Sequence, residues 1–460
     1  MAHHGRLERD SMGLSHAVVM GVAGTAPSFS IAASAAILIA QAGRFAPAVV
    51  VYCGLAMLGI AVAFRRLNRD EPNAGASFLW VSQVFGPTMG FLTGWCVLVT
   101  SVLFMASATL PAAGATLLLL APDLERNPTA VTLVALAWLV AVCAVTLRGT
   151  SITARIQSRM IAVELAVLAV IGLAALFQLG PAAARQFDWS TFSLSGMDMD
   201  AFISGALVAL FLFWGWDISL NLAEETRDGH HASGLGAILA MLVLIAVFTG
   251  FHIVALVALD EARIAAAGTN LLYAVADTIF PRPWSLLAIL VVMLSTVGAL
   301  ATTALGFSRT LFAKSRHGVL HPRWQQLHPR WNTPHQATLL FAGLGAGLLI
   351  LSLALEDVAR VLGMAITAIG LQAAVYYGLT GYACAWAHRR NSRGSALSLA
   401  LYVIWPAASA TALWAAAILL LAREFDALTA TIGIGTLLAG VVPMLLQRRH
   451  AKKQKPLKIK

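Results

Sequence analysis

Two carboxylates interrupt long apolar runs of this chain. Glu164 lies within the run 157–179, and Asp217 lies within the run 201–223. An ionisable side chain inside a membrane helix is costly, so it usually faces a partner, a cavity or a transport path. Each acid can hold a coupling cation, a proton or a sodium ion, or it can attract a cationic substrate. For Glu164 the alternative is a structural acid that a neighbouring hydroxyl neutralises.

Aromatic side chains surround Asp217 in the sequence. Phe213, Trp214 and Trp216 precede it within four residues. The face of an aromatic ring attracts a cation, and tryptophan does so most strongly. The same three side chains can instead act as gates or simply pack between helices. The pattern therefore indicates a cation site and leaves packing open.

The backbone around these acids carries residues that interrupt helices. The first apolar run contains Gly21 and Gly24 ahead of Pro27, and Gly215 lies between two tryptophans in the run 201–223. Proline in mid-helix removes one backbone donor and clashes with the preceding turn, which at least kinks the helix. The two interrupted runs are five predicted helices apart. Such a pair indicates an inverted-repeat transporter whose site lies where the breaks meet.

The composition requires that most of these elements face lipid. Of the 460 residues, 59% are hydrophobic and only 11% are charged, with a mean hydropathy of +0.79. Soluble domains are about a quarter charged. The run from Leu14 to Ala40 is too long for a signal-peptide core, so we interpret it as a retained first helix. The four cysteines lie in apolar runs without paired spacing, which argues against a disulfide framework or a metal site.

Runs of about 20 apolar residues mark the membrane spans. There are twelve, which we number in chain order: 14–40, 46–64, 87–120, 129–147, 157–179, 201–223, 233–258, 284–313, 335–354, 358–386, 398–421 and 428–446.

The basic residues orient these spans. All but seven of the 31 Lys and Arg residues fall in loops or ends on the side of the two termini; the seven are Arg44, Arg126, Arg185, Arg263, Arg282, Arg360 and Arg423. The positive-inside rule then places both termini in the cytoplasm of a cell, or inner, membrane. This distribution argues against a nucleic-acid partner. The basic tail 447–460 is expected to contact anionic membrane lipid.

Several motifs resemble those of the amino acid–polyamine–organocation (APC) permease superfamily, in the same order along most of the chain. They are Pro72-Asn73-Ala74-Gly75-Ala76-Ser77-Phe78, Phe85-Gly86-Pro87, Gly90-Phe91-Leu92-Thr93-Gly94-Trp95, Arg148-Gly149, Ala154-Arg155-Ile156-Gln157, Glu224-Glu225-Thr226-Arg227-Asp228, Ser308-Arg309 with Gly318, His321-Pro322 and Thr333-Pro334.

The resemblance implies an all-α LeuT-type fold of about 12 transmembrane helices, with a five-plus-five inverted repeat and discontinuous helices one and six. The repeats would cover 14–179 and 201–386, followed by two extra helices in 398–446. Family members bind substrate at the two broken helices, with side chains from helices three, eight and ten. The corresponding residues here are Gly24, Thr25, Ala26, Pro27 and Ser28 on span 1, Thr100, Ser101 and Met105 on span 3, and Phe213, Trp214, Gly215, Trp216 and Asp217 on span 6.

The chain departs from the family pattern at two points. Many relatives have a glycine-serine-glycine run in helix one, whose backbone amides hold the substrate carboxylate. Here Pro27 lacks an amide proton, although Thr25, Ala26 and Ser28 can still donate. Some proton-coupled relatives place a lysine where Glu164 stands, so the lysine mechanism does not transfer to this chain.

These observations favour a secondary transporter of amino acids or related amines, proton-coupled or exchanging, that works by alternating access without a cofactor. No phosphate-binding loop is visible that would supply ATP energy. A membrane enzyme is disfavoured because the embedded histidines, His16 and His252, show no metal-ligand spacing with carboxylates. A solute sensor that binds without transporting remains the alternative, as does a carrier of polyamines or other organocations.

Overall fold

A computed structural model describes residues 7–125, 127–178, 187–193, 195–354, 358–392, 394–423 and 427–445. The described parts are helical throughout, apart from turns and one isolated bridge between Met12 and Thr226. The basic tail 447–460 lies outside the described residues, as do Arg126 and Arg185 of the charge analysis.

The α-helices are numbered here in chain order. They are α1 (Leu14–Thr25), α2 (Pro27–Ala42), α3 (Ala46–Asp70), α4 (Ser77–Phe85), α5 (Pro87–Leu120), α6 (Pro128–Leu147), α7 (Thr150–Gln178), α8 (Met199–Leu212), α9 (Ile218–Asn221), α10 (Gly229–Ala258), α11 (Glu261–Ala267), α12 (Leu271–Ile279), α13 (Leu287–Arg316), α14 (His335–Ser352), α15 (Val358–His388), α16 (Ala396–Leu399), α17 (Trp405–Arg423) and α18 (Ala427–Ala439).

Each predicted span contains a helix, and eight helical stretches of the described chain are long and apolar enough to cross a membrane. The chain is therefore a multi-pass membrane protein. Passage of all twelve segments through the bilayer stays a prediction. The short helices α4, α11 and α12 were not predicted, because each has fewer than ten residues and lies between the longer apolar runs.

Predicted span 1 is broken into two helices. Helix α1 ends at Thr25, Ala26 takes a left-handed conformation with φ of 53°, and α2 begins at Pro27. Proline is suited to the first position of a helix because the amide at that position has no intrahelical acceptor. A non-glycine residue in left-handed backbone costs about 1–2 kcal/mol. Proline and its left-handed neighbour therefore make a true interruption and not a kink.

Predicted span 6 is also broken, over a longer stretch. Helix α8 ends at Leu212, five residues form turns, and the single-turn helix α9 begins at Ile218. Gly215 lies at the centre of the interruption with φ of 108°, a conformation that favours glycine.

The remaining helices hold these two interruptions in the interior. Helix α10 packs against α1 and α3, while α5 packs against α13 and α15. At one end of the bundle, the buried Arg309 of α13 donates to both carboxylate oxygens of buried Glu225, each at 3.0 Å. The Thr150 hydroxyl, at the start of α7, accepts from Arg309 and donates to Glu225. The segment before α1 pairs with this region through a hydrogen bond from the Ser11 amide to the Glu225 carbonyl.

Candidate functional site

The two interrupted segments touch through their backbones. A methyl group added at Gly24 would lie 2.3 Å from the carbonyl oxygen of Gly215, and one added at Gly215 would lie 2.2 Å from the carbonyl oxygen of Gly24. These distances leave no room for a side chain at either position. The prediction that the site lies where the breaks meet is consistent with this contact.

At the first break, a side chain from another helix binds the start of α2. The Ser28 amide donates to Oε1 of Glu164 on α7 at 2.7 Å, and Glu164 is fully buried. The Phe29 amide donates to the Ser295 hydroxyl of α13 at 3.4 Å. The first amides of a helix lack intrahelical acceptors and carry partial positive charge, which suits a carboxylate. Glu164 therefore satisfies the backbone that the break exposes.

This arrangement changes what the predicted amide donors can do. Ala26 donates its amide to the Val22 carbonyl at 3.1 Å, and Ser28 donates to Glu164. The Thr25 hydroxyl donates to the Gly21 carbonyl. Two of the three amides expected to hold a substrate carboxylate are thus already satisfied within the protein.

At the second break, the acid belongs to the interrupted segment itself. Oδ1 of Asp217 accepts a hydrogen bond of 2.7 Å from the Tyr377 hydroxyl and one of 3.2 Å from the Tyr376 hydroxyl, both on α15. The Tyr377 hydroxyl oxygen also accepts from the Gly215 amide at 3.3 Å. Asp217 is 4% exposed. The two tyrosines therefore fix both the carboxylate and the backbone of the break.

The aromatic side chains around Asp217 divide into two groups. Trp216 stacks on Tyr377 with a centroid distance of 5.4 Å and packs against Phe64 of α3, so it belongs to the wall on the α3 and α15 side. Phe213 packs against Phe248 of α10.

Trp214 points the other way, toward α5. Its ring lies 5.0 Å from that of Phe104, which in turn meets Phe29 of α2 at 5.7 Å. This row of rings connects the two breaks. The indole nitrogens of Trp214 and Trp216 are buried and have no hydrogen-bond partner within the described part of the chain. Buried donors of this kind are normally paired, so two unpaired indoles are an unusual feature of this region.

The three site residues that were predicted on span 3, Thr100, Ser101 and Met105, lie on α5. The hydroxyls of Thr100 and Ser101 are buried and donate to carbonyls of the preceding turn, those of Cys96 and Val97. Met105 packs against Gly345 of α14. On α5, the ring of Phe104 contacts both broken segments, through Phe29 and Trp214.

Sequence reasoning therefore missed Phe104, Tyr376 and Tyr377. For helix three the resemblance implied Thr100, Ser101 and Met105, and for helix ten it implied a contribution without naming a residue. Two adjacent tyrosines in the apolar span 10 were a usable signal, because a buried tyrosine hydroxyl usually needs a partner.

The charges at the site are of one sign. No Lys or Arg of the described chain hydrogen-bonds to Glu164 or Asp217, and no group of three His, Cys, Asp or Glu in the same residues could hold a metal ion. The arrangement offers two carboxylates, ring faces and tyrosine hydroxyls, which together suit a small solute that carries positive charge.

The family model described as amino acid permease matches residues 13–450. The chain is 25% identical over 295 residues to the low-affinity putrescine importer PlaP of Escherichia coli, covering 61% of this chain and 63% of the importer. It is 27% identical over 330 residues to an uncharacterized transporter of Mycobacterium bovis, covering 69% of this chain and 68% of that protein. The chain is thus matched over less than two thirds of the length of the putrescine importer.

The match to the family model spans nearly the whole sequence, and it agrees with the APC resemblance carried by the motifs between α3 and α5 and around Arg309. The helices that this match covers are the ones that build the two breaks and enclose the buried acids. The chain is therefore a membrane transporter, not an enzyme, and it belongs to the amino acid permease family.

Proposed function

We propose that this transporter carries a small organic amine by alternating access, with an amino acid as the second candidate substrate. The observation that supports an amine is the hydrogen bond from the Ser28 amide to Glu164. In the family pattern, amides at this break hold a substrate carboxylate, and here a protein carboxylate takes that place. A substrate that brings its own carboxylate would have to displace Glu164 or bind beside it.

Asp217 and the row of rings support the same proposal. A buried carboxylate held by Tyr376 and Tyr377 can face an ammonium group, and Trp214 and Phe104 can present ring faces to it. The similarity to a putrescine importer is consistent with a polyamine or another organocation.

We assign the coupling role to Glu164 and the substrate role to Asp217. Glu164 lies on α7 and accepts a hydrogen bond from the start of α2. Protonation of its carboxylate would therefore change the contact between α7 and α2. A proton is the expected coupling ion, a sodium ion is the alternative, and exchange of two solutes needs neither.

We further propose twelve spans arranged as two inverted five-helix repeats, 14–179 and 201–386, with two extra helices in 398–446. Both termini would lie in the cytoplasm, with the tail 447–460 against anionic lipid of the cell (inner) membrane. Reporter fusions at Lys460 test the orientation, since a periplasmic signal would contradict it.

The experiment for the substrate compares two solutes of similar length. Putrescine carries an amine at both ends, whereas 4-aminobutyrate replaces one amine with a carboxylate. Ligands stabilise the state to which they bind, so putrescine should raise the Tm of the purified protein more than 4-aminobutyrate does. A larger shift with 4-aminobutyrate or with amino acids would favour the amino acid alternative.

A counterflow assay separates a transporter mechanism from a sensor that binds without transport. Proteoliposomes are loaded with the unlabelled solute found in the thermal screen and are then placed in the labelled solute. Transient accumulation of label is expected. Binding without counterflow would indicate the sensor.

A further inference from the structure

A cavity of about 450 Å³ lies away from the two breaks, between the segment before α1, the turn after α3, the segment leading into α10 and the end of α13. Its lining residues are Leu7, Arg9, Pro72, Asn73, Ala223, Glu224, Thr226, Gly229, His230 and Arg316. Neither Glu164 nor Asp217 is among them. The cavity is therefore separate from the candidate transport site.

The acid in this lining is already neutralised. Glu224 accepts two hydrogen bonds from the Arg316 guanidinium, one of them at 2.7 Å, and a third of 2.8 Å from the Ala74 amide. Burial alone would raise the pKa of Glu224, but these hydrogen bonds and the charge of Arg316 hold it below its usual value. Glu224 thus stays ionised and paired, and it contributes no free negative charge to the cavity.

Two other polar side chains of the lining, Arg9 and Asn73, offer donors without partners in the described chain. Arg9 has no hydrogen bond or ion pair among the described residues, and its guanidinium offers five N–H donors. The Asn73 side chain is 7% exposed, and its oxygen accepts from the Gly75 amide at 2.8 Å. Its two N–H groups have no partner within the described chain. An unpaired side-chain amide on a residue this buried is uncommon in folded proteins.

The start of a long helix adds further donors. Gly229 and His230 are the first two residues of α10, and amides at these positions have no intrahelical acceptors. The Nδ1 atom of His230 lies 3.1 Å from the Arg69 carbonyl, which fixes its ring at the cavity wall. A free guanidinium, a buried amide donor and a helix start together favour an anion with several oxygens.

We propose that this cavity binds a phosphate group, either as free phosphate or phosphomonoester or as the headgroup of an anionic lipid. The bound group would connect the segment before α1, the turn after α3 and the start of α10, which carry Arg9, Asn73 and His230. The Ser11 amide already joins the first of these segments to Glu225, next to the buried ion pair with Arg309. Occupation of the cavity would therefore stabilise this end of the bundle.

Inorganic phosphate is the probe. The full chain is reconstituted in phosphatidylcholine nanodiscs, and its Tm is measured against phosphate concentration, with chloride at matched ionic strength as the reference. Phosphate should raise the Tm, and the apparent Kd follows from the concentration dependence.

Two variants test the donors. Arg9→Gln removes an exposed cation and should leave folding intact. Asn73→Asp keeps the oxygen that binds the Gly75 amide and replaces the free amide nitrogen with a second oxygen. Each should weaken the apparent Kd for phosphate about tenfold or more, since bonds between charged groups are the stronger ones. Arg155→Gln, at an exposed arginine outside the cavity, is the matched control and should bind as the parent does.

A second nanodisc composition distinguishes the sources of the phosphate group. If phosphatidylglycerol raises the Tm and abolishes the response to free phosphate, the lipid headgroup occupies the cavity, and both variants should lose the lipid effect. If phosphatidylglycerol has no effect while phosphate does, the ligand is soluble. The proposal is overturned if the parent responds to neither, or if Arg9→Gln and Asn73→Asp respond as the parent does.

Discussion

The two breaks use opposite arrangements of acid and donor. At the first, the interrupted backbone donates through Ser28, and the acid, Glu164, comes from a different helix. At the second, the interrupted segment supplies the acid, Asp217, and the donors are tyrosine hydroxyls of a different helix. The first interruption is one residue long, whereas the second takes five.

From this difference we expect the two breaks to have different roles in transport. The Glu164 carboxylate satisfies backbone charge and connects two helices, so its protonation should affect how those helices move. The Asp217 carboxylate is held by neutral tyrosine hydroxyls and has no hydrogen bond from a Lys or Arg of the described chain, so we expect it to attract a cationic substrate. The following predictions test this contrast, from the largest expected effect to the smallest.

Replacing the glycines at the contact between the breaks should have the largest effect. Gly215→Ala and Gly24→Ala both force a methyl group onto a carbonyl oxygen, and Gly215 also has a positive φ. We expect a loss of about 2–4 kcal/mol of stability and no uptake. Size-exclusion chromatography and Tm measure the first, and proteoliposomes the second.

The control for this experiment is Gly172→Ala on α7, where an added methyl group meets nothing within 4 Å. It should fold and transport as the parent does. Normal uptake by Gly215→Ala would show that the two breaks do not depend on their backbone contact.

Glu164→Gln should abolish accumulation while it preserves binding. The amide oxygen of glutamine can still accept from Ser28, so the first break keeps its hydrogen bond and loses only the ionisable group. We expect gradient-driven accumulation to fall at least about tenfold under an imposed proton gradient, with ligand affinity by calorimetry nearly unchanged. Glu261→Gln, at an exposed acid of α11, is the control. Accumulation with unchanged pH dependence would make Glu164 structural.

Asp217→Asn should weaken substrate binding, which Glu164→Gln preserves. Asparagine can still accept from Tyr377, so the fold of the second break is kept, but a cationic substrate loses its partner in a buried setting. We expect the affinity for an amine to fall about tenfold or more, measured by calorimetry. Asp277→Asn removes the charge from an exposed Asp–Tyr pair and should have no effect. Unchanged affinity in Asp217→Asn would place the acid outside the substrate site.

Replacing either tyrosine should weaken substrate binding less than Asp217→Asn does, and the two replacements should differ in size. Tyr377 makes the shorter bond to Asp217 and also accepts from the Gly215 amide, whereas Tyr376 makes one longer bond. Tyr377→Phe should weaken substrate binding about fivefold and Tyr376→Phe about twofold, as expected for the loss of single hydrogen bonds. Tyr273→Phe, in the surface pair with Asp277, is the control. Equal effects would mean that the contact with Gly215 contributes nothing.

The sequence was informative where a residue constrains its own backbone. Pro27 and Gly215 indicated the interruptions because proline removes a backbone donor and clashes with the preceding turn, and glycine tolerates positive φ. The ends of α5 were predicted at the same residues, since Gly86 and Pro87 mark its start and Ala121 and Pro122 follow its end.

The sequence was less informative where the rotation of a helix about its axis decides which side chain faces the site. On α5, a turn of about 100° per residue separates Phe104 from Met105, and hydropathy alone cannot choose between two apolar neighbours. The partners of Glu164 and Asp217 lie 136 and 160 residues away along the chain. Such contacts depend on how distant helices pack, which no local pattern records.

The buried ion pair of Arg309 and Glu225 has a consequence for the speed of opening. Any movement that separates α13 from the segment between α9 and α10 must pull apart a cation and an anion that are both buried. Partial separation is the most costly arrangement, because the attraction is lost before hydration replaces it. Thr150 adds a bond to each partner and ties α7 to the same pair. This end of the bundle should therefore open in one step, at a rate set by how readily water enters between the charges.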